Sequence, residues 1–110
     1  MSHVIEMRTY KTKPGRRADV VRLFRAKVVP AHQELGMEIK GPFLAVEDPD
    51  TFFWMRVFPS LASRAALKDQ FYGGALWIDE LEPQLLPLLE RHDAILVEGA
   101  EPAARLPEVS

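Results

Sequence analysis

Two stretches, VIEMRTYK (Val4 to Lys11) and TFFWMRVF (Thr51 to Phe58), alternate with period two, and this alternation constrains the fold more than any other feature. Successive side chains of a strand point to opposite faces of a sheet. In the first stretch Ile5, Met7 and Thr9 share one face, and Val4, Glu6, Arg8 and Tyr10 share the other. In the second, Phe53, Met55 and Val57 stand opposite Phe52, Trp54, Arg56 and Phe58. Aromatic and β-branched residues of this kind suit strands.

The remaining elements fall between and around these two. KPG at Lys13 to Gly15 reads as a turn, because proline fixes φ and glycine frees it. A helix is expected from about Arg16 to Leu35, with Val20, Phe24, Val28, Ala31 and Leu35 as its apolar stripe. Pro30 lies inside it and is expected to kink it or loosen its hydrogen bonds, and Gly36 to end it. A strand from Met37 to about Val46 is bent or bulged at Gly41 and Pro42. Glu47 to Thr51 is a polar turn into the strand already described. Ser60 is a helix N-cap, the helix breaks at Tyr72 to Gly74, and a second helical piece runs from about Leu76 to Arg91 across Pro83 and Pro87. His92 to Gly99 is the last strand. The order βαββαβ predicts an α+β, ferredoxin-like two-layer sandwich spanning residues 1–99. Residues 100–110 form a tail rich in Ala, Pro and Glu, either loose or laid on a partner.

In this fold both helices cover one sheet face. The sets Ile5/Met7 and Phe53/Met55/Val57 suit that helix-facing side. The mixed set of Glu6, Arg8, Tyr10, Trp54, Arg56 and Phe58 is then expected on the bare face, too apolar for solvent and too ionic for a dry core. A second copy packed face to face would enclose it, with Glu6 paired to Arg56 or Arg8. The expectation is a homodimer closing a joint barrel.

Composition removes several classes of function. The formal net charge is −2, and no basic aromatic stripe is present, so neither nucleic acid nor an anionic membrane surface is indicated. The chain has no cysteine, which excludes disulfides, thiolate metal sites and thiol catalysis and fits a reducing compartment. The opening MSHVIEMR lacks the apolar core of a secretory signal, and no apolar run reaches the ~20 residues of a membrane span. A soluble, cytoplasmic protein is expected. Walker, dinucleotide-binding and nucleophile-elbow motifs are missing, as are metal-binding His spacings, so no cofactor and no metal are expected.

IEMRTYKTKPG resembles the opening segment of the NIPSNAP family, within the dimeric α/β-barrel superfamily. FFWMRVFPSLASRAAL is similar to that family's third strand and following helix, FYGGALW to a further segment, and LLPLLERHDAILVE to its last helix and strand. The resemblance covers Val4 to about Glu98 and implies a ferredoxin-like fold and a dimer. It implies no single reaction, because the wider superfamily holds cofactor-independent monooxygenases, isomerases, haem-handling enzymes and proteins without demonstrated catalysis.

Glu6 and Arg8 read either as an acid–base or anion-binding pair, or as an ion pair fixing register. Arg56 either grips a substrate carboxylate or is the counter-ion of Glu6. Tyr10 and Tyr72 offer phenols to an oxyanion or pack as structural rings; Tyr72 sits beside the glycines of FYGG. Trp54, Phe58 and Trp77 are candidate walls of an apolar pocket, or core. His3, His32 and His92 read as structural or exposed, with His32 or His92 as the base if one functions. The functional expectation is a cavity for a small, mostly apolar or aromatic ligand, with cofactor-independent oxygenase- or isomerase-like catalysis left open. The alternative is a non-catalytic ligand-binding or protein-interaction module whose sheet face serves dimerisation.

Overall fold

The computed structural model describes residues 4–98; the expectations for His3 and for the tail at 100–110 lie outside them. Four strands, β1 (Val4–Thr12), β2 (Glu38–Leu44), β3 (Thr51–Phe58) and β4 (Leu89–Glu98), form one antiparallel sheet in the order β2-β3-β1-β4. The two alternating stretches are the central pair. Their register sets Glu6 opposite Arg56, Arg8 opposite Trp54 and Tyr10 opposite Phe52. A shift in register between Lys40 and Phe43 marks the expected irregularity at Gly41 and Pro42 in β2.

Two helical runs cover one face. The first comprises α1 (Arg17–Leu23), a π-helical segment (Phe24–Val28) and α2 (Val29–Glu34). Pro30 falls in the first turn of α2, and the wide turn ahead of it is visible as Val29 N–H donating to Phe24 O, five residues back. The second run comprises α3 (Leu61–Tyr72), a π-helical segment (Leu76–Leu81), α4 (Glu82–Leu85) and a 3-10 turn (Leu86–Leu88). Glu82 N–H donates to Trp77 O in the same wide-turn pattern, with Pro83 immediately after it. The last strand therefore begins at Leu89, earlier than the expected His92.

The face assignment expected from the sequence is inverted. Val4, Glu6, Arg8, Tyr10 and Thr12 of β1 are all buried, and so are Phe52, Trp54, Arg56 and Phe58 of β3. They lie beneath the protein's own helices. Phe24 of the first helical run stands 4.8 Å from Trp54 and 5.9 Å from Phe52 between ring centroids. The core collects these rings with Val20, Val28, Met37, Phe71, Leu81 and Leu85. The set Ile5, Met7, Phe53, Met55 and Val57 is on the opposite face, which is helix-free among the described residues. Both alternating sets contain large apolar groups, and the aromatic one offers more area to bury. Its charged groups follow it inward because Glu6 ion-pairs there with both Arg8 and Arg56. The reason given for a sheltering second subunit on the Trp54 and Arg56 side therefore falls, since the helices already provide the shelter.

Candidate functional site

The buried charges form one cluster centred on Glu6. Its Oε1 accepts from Arg8 Nη1 at 2.5 Å and from Arg56 Nη2 at 2.5 Å. Its Oε2 accepts from Arg64 Nη2 at 2.9 Å and Nε at 3.2 Å, and Lys68 Nζ lies 3.4 Å away. Local folding explains the convergence. Glu6 and Arg56 are directly opposed on neighbouring strands, and Arg8 follows two residues along the same face. Arg64, Lys68 and Tyr72 recur every four residues on α3 and so share one helix face. Burial opposes ionisation of Glu6, but the hydrogen bonds and charges of Arg56 and Arg8 overcome it and hold the carboxyl well below the usual carboxylate range.

Arg56 is fully buried and is the hub of a second layer. Its Nη1 donates to His32 Nε2 at 2.9 Å, and its Nη2 also donates to the Tyr72 hydroxyl at 3.0 Å. His32 Nδ1 donates to Val28 O at 2.8 Å. A carbonyl only accepts and a guanidinium only donates, so His32 is the neutral Nδ1–H tautomer. Burial, reinforced by the Arg56 charge, lowers its pKa to about 4 against the Val28 hydrogen bond. The guanidinium of Arg56 also lies 5.3 Å from the ring centroids of Trp54 and Tyr72. Burial raises the pKa of Tyr10, so its phenol stays protonated.

Beside this cluster lies a cavity of about 320 Å³ between the second helical run and the β1–β4 half of the sheet. Its polar wall is Arg8, Lys68 and Tyr72; Tyr10, Trp77 and His92 add rings, and Leu85, Leu86 and Leu89 complete it. Leu86 is 43 % exposed and His92 is exposed, so the cavity opens along this edge. Among the described residues, Arg8 Nε, Trp54 Nε1 and Arg56 Nε are buried nitrogens without a hydrogen-bond partner. A larger groove of about 630 Å³ runs along the outside of α1 to Leu44, away from the charged cluster.

Of the residues singled out from the sequence, Arg8, Tyr10, Tyr72 and Trp77 line the smaller cavity. Glu6 and Arg56 stand behind its polar wall. Trp54 and Phe58 are core residues under the helices and do not line it. Sequence reasoning missed Arg64 and Lys68, whose four-residue spacing with Tyr72 was the available signal. It also set His32 aside as structural or exposed, and the structure buries it as an acceptor for Arg56. No group of three or more potential metal-ligating residues occurs among the described residues.

Comparison with known proteins agrees with this architecture. A NIPSNAP-like protein from Burkholderia xenovorans superposes with a TM-score of 0.82 at 16% identity, covering 98% of this chain and 94% of that one. A NIPSNAP family protein from Agrobacterium tumefaciens gives 0.81 at 19% identity, covering 92% and 96%. An antibiotic biosynthesis monooxygenase gives 0.61 at 17% identity, covering 94% and 99%, which extends the likeness in fold to a wider ferredoxin-like group. No curated protein sequence matches the chain. A model of the NIPSNAP family matches residues 5–98, and the chain belongs to that family.

Proposed function

We propose that this protein binds a small, mostly apolar or aromatic molecule in the cavity between α3, α4 and the β1–β4 half of the sheet, and does so as a homodimer in the cytoplasm. The observation that carries the reading is the cavity's composition. A wall of Leu85, Leu86, Leu89 and Trp77 faces three polar side chains, Arg8, Lys68 and Tyr72. An apolar enclosure with a few converging polar groups is the usual form of a small-molecule site, and about 320 Å³ is at the lower end of the size range of such sites.

Binding is favoured over catalysis by the state of the titratable groups. Glu6 is held ionised by its cations and is a poor proton acceptor. Both ring nitrogens of His32 are engaged, and it stays neutral. Neither is poised as a general base near neutral pH. The likeness to a monooxygenase is one of fold, and a fold carries no chemistry by itself. The dimer reading is supported by the apolar residues of the sheet face opposite the helices, and the cytoplasmic setting by the cysteine-free composition.

The test is calorimetric titration with single-ring compounds, both neutral and charged. Saturable one-to-one binding, weakened at least tenfold by filling the cavity with Leu86→Trp and by opening it with Trp77→Ala, is the expected result. If no compound binds, or if Leu86→Trp leaves affinity unchanged, the proposal is wrong.

A further inference from the structure

The polar wall of the cavity is electrostatically unbalanced, and the imbalance selects a ligand class. Among the described residues, Glu6 is the single carboxylate within 4 Å of four cations, Arg8, Arg56, Arg64 and Lys68. The cluster therefore has a formal surplus of three positive charges. His32 and Tyr10 are neutral and return none of that charge. A surplus of like charge beside a low-dielectric cavity is unfavourable alone and favours an anion in the cavity.

Three donors of the cavity wall have capacity left after serving Glu6. Arg8 is 8 % exposed, donates to Glu6 through Nη1 and has no hydrogen-bond partner at Nε. Lys68 stands off Glu6 at 3.4 Å with its side chain 27 % exposed, and it has three N–H bonds to give. The Tyr72 oxygen accepts from Arg56, so its own proton is directed elsewhere. Opposite them, Trp77 and the three leucines offer only apolar surface, because the Trp77 indole N–H is already committed to Glu82 at 3.1 Å. The cavity holds about ten liquid-water volumes at ~30 Å³ each, the size of a one-ring compound.

We infer that the ligand is a small organic carboxylate, with its anionic group set among Arg8, Lys68 and Tyr72 and a flat apolar body against Trp77 and Leu85, Leu86 and Leu89. This rests on the cavity being a binding site, as proposed above. It adds the charge of the ligand and the residues that read it. An arginine and a lysine converging on one carboxylate give both orientation and charge compensation.

The experiment compares benzoate and phenylacetate with benzamide and phenylacetamide, of matched shape and no charge, by calorimetry at pH 7. The carboxylates are expected to bind at least tenfold tighter than the amides. Lys68→Met, at a partly exposed position, is expected to remove most of that preference. Carboxylates and amides binding equally would overturn the inference and leave the cavity reading intact. So would a carboxylate preference that survives both Lys68→Met and Arg8→Gln. Inorganic phosphate binding as tightly as benzoate would reduce the site to an anion patch and overturn the apolar half. Failure of every compound would remove the cavity reading and this inference together.

Discussion

At the scale of single residues, Glu6 decides whether the core is tolerable. Arg56 has no exposure and Arg8 has 8 %, and Glu6 is the carboxylate both of them reach. Removing one partner of a buried ion pair leaves an uncompensated charge and costs about 3–5 kcal/mol. Glu6→Gln is therefore expected to lower the urea midpoint steeply, and Glu6→Gln combined with Arg56→Met to recover part of the loss. A single substitution that shifts stability by less than about 1 kcal/mol would show that the cluster is better solvated than its burial indicates. His32 supplies a pH dependence of its own. Its folded pKa, about 4, lies below the ordinary 6.5, so the unfolded chain binds more protons between those values. Stability is complete above about pH 6.5 and falls as the pH drops towards 4. Across that interval the loss is on the order of 3 kcal/mol, at ~1.4 kcal/mol per unit. The depressed pKa of Glu6 acts in the same direction but below its ordinary 4.5. His32→Gln, which does not titrate, is expected to flatten the stability curve between pH 6.5 and 4.5. An unchanged slope would place the effect on another group.

At the scale of elements, spacing explains how helices and sheet bring these groups together. Val20, Phe24, Val28 and His32 are all buried, four residues apart. In a regular α-helix four residues overshoot one turn of 3.6 by about 40°, so three such steps would rotate His32 about 120° away from Val20. The π-helical turn at Phe24–Val28 takes up this overshoot, and Pro30, which lacks an N–H, follows where the ladder is already altered. α3 is held at its start by a reciprocal cap. Ser60 Oγ accepts from Ser63 N–H at 3.1 Å, and Ser63 Oγ accepts from Ser60 N–H at 3.3 Å. Ser60→Ala is expected to cost about 1 kcal/mol, read as a lower urea midpoint with unchanged slope. No measurable loss would mean that packing alone fixes the start of α3. The bounds of β3, the cap at Ser60 and the element order were legible because period and capping chemistry are local. The face covered by the helices was not, because alternation says which residues share a face and not which face is inside. Arg64 and Lys68 escaped notice for a related reason. On a helix of mixed polarity a row of cations reads as solvated surface until a buried carboxylate is known to lie beneath it.

At the scale of the whole molecule, the inversion of the two faces moves the proposed dimer interface to the other side of the sheet. The helix-free face carries Ile5 and Met7 from β1, Phe53, Met55 and Val57 from β3, and Ile95 and Val97 opposite Met7 and Ile5 on β4. Met55 and Val57 lie on a central strand at 3 % exposure, but Ile95 on the edge strand is 65 % exposed. We propose the apolar strip that ends at the exposed Ile95 as the surface a second copy covers. On its β2 side this face is bordered by the Glu38–Lys40 ion pair, which stands opposite Val57 and Met55, so a second copy is expected to seat on the β1–β4 half, along Ile5, Met7, Ile95 and Val97. The cavity opens between the helices and the β1–β4 half, on the opposite layer, so dimerisation and ligand binding are expected to be separable. Sedimentation at micromolar concentration is expected to give about twice the chain mass for the wild-type protein. Ile95→Lys is expected to shift it to the monomer with an unchanged far-UV circular dichroism spectrum, since that side chain is already mostly in solvent. Carboxylate binding should persist in that monomer with an affinity within about threefold of the dimer's. A wild-type protein that is monomeric throughout the micromolar range would remove the dimer, and a monomeric variant that no longer binds would place part of the site across the interface.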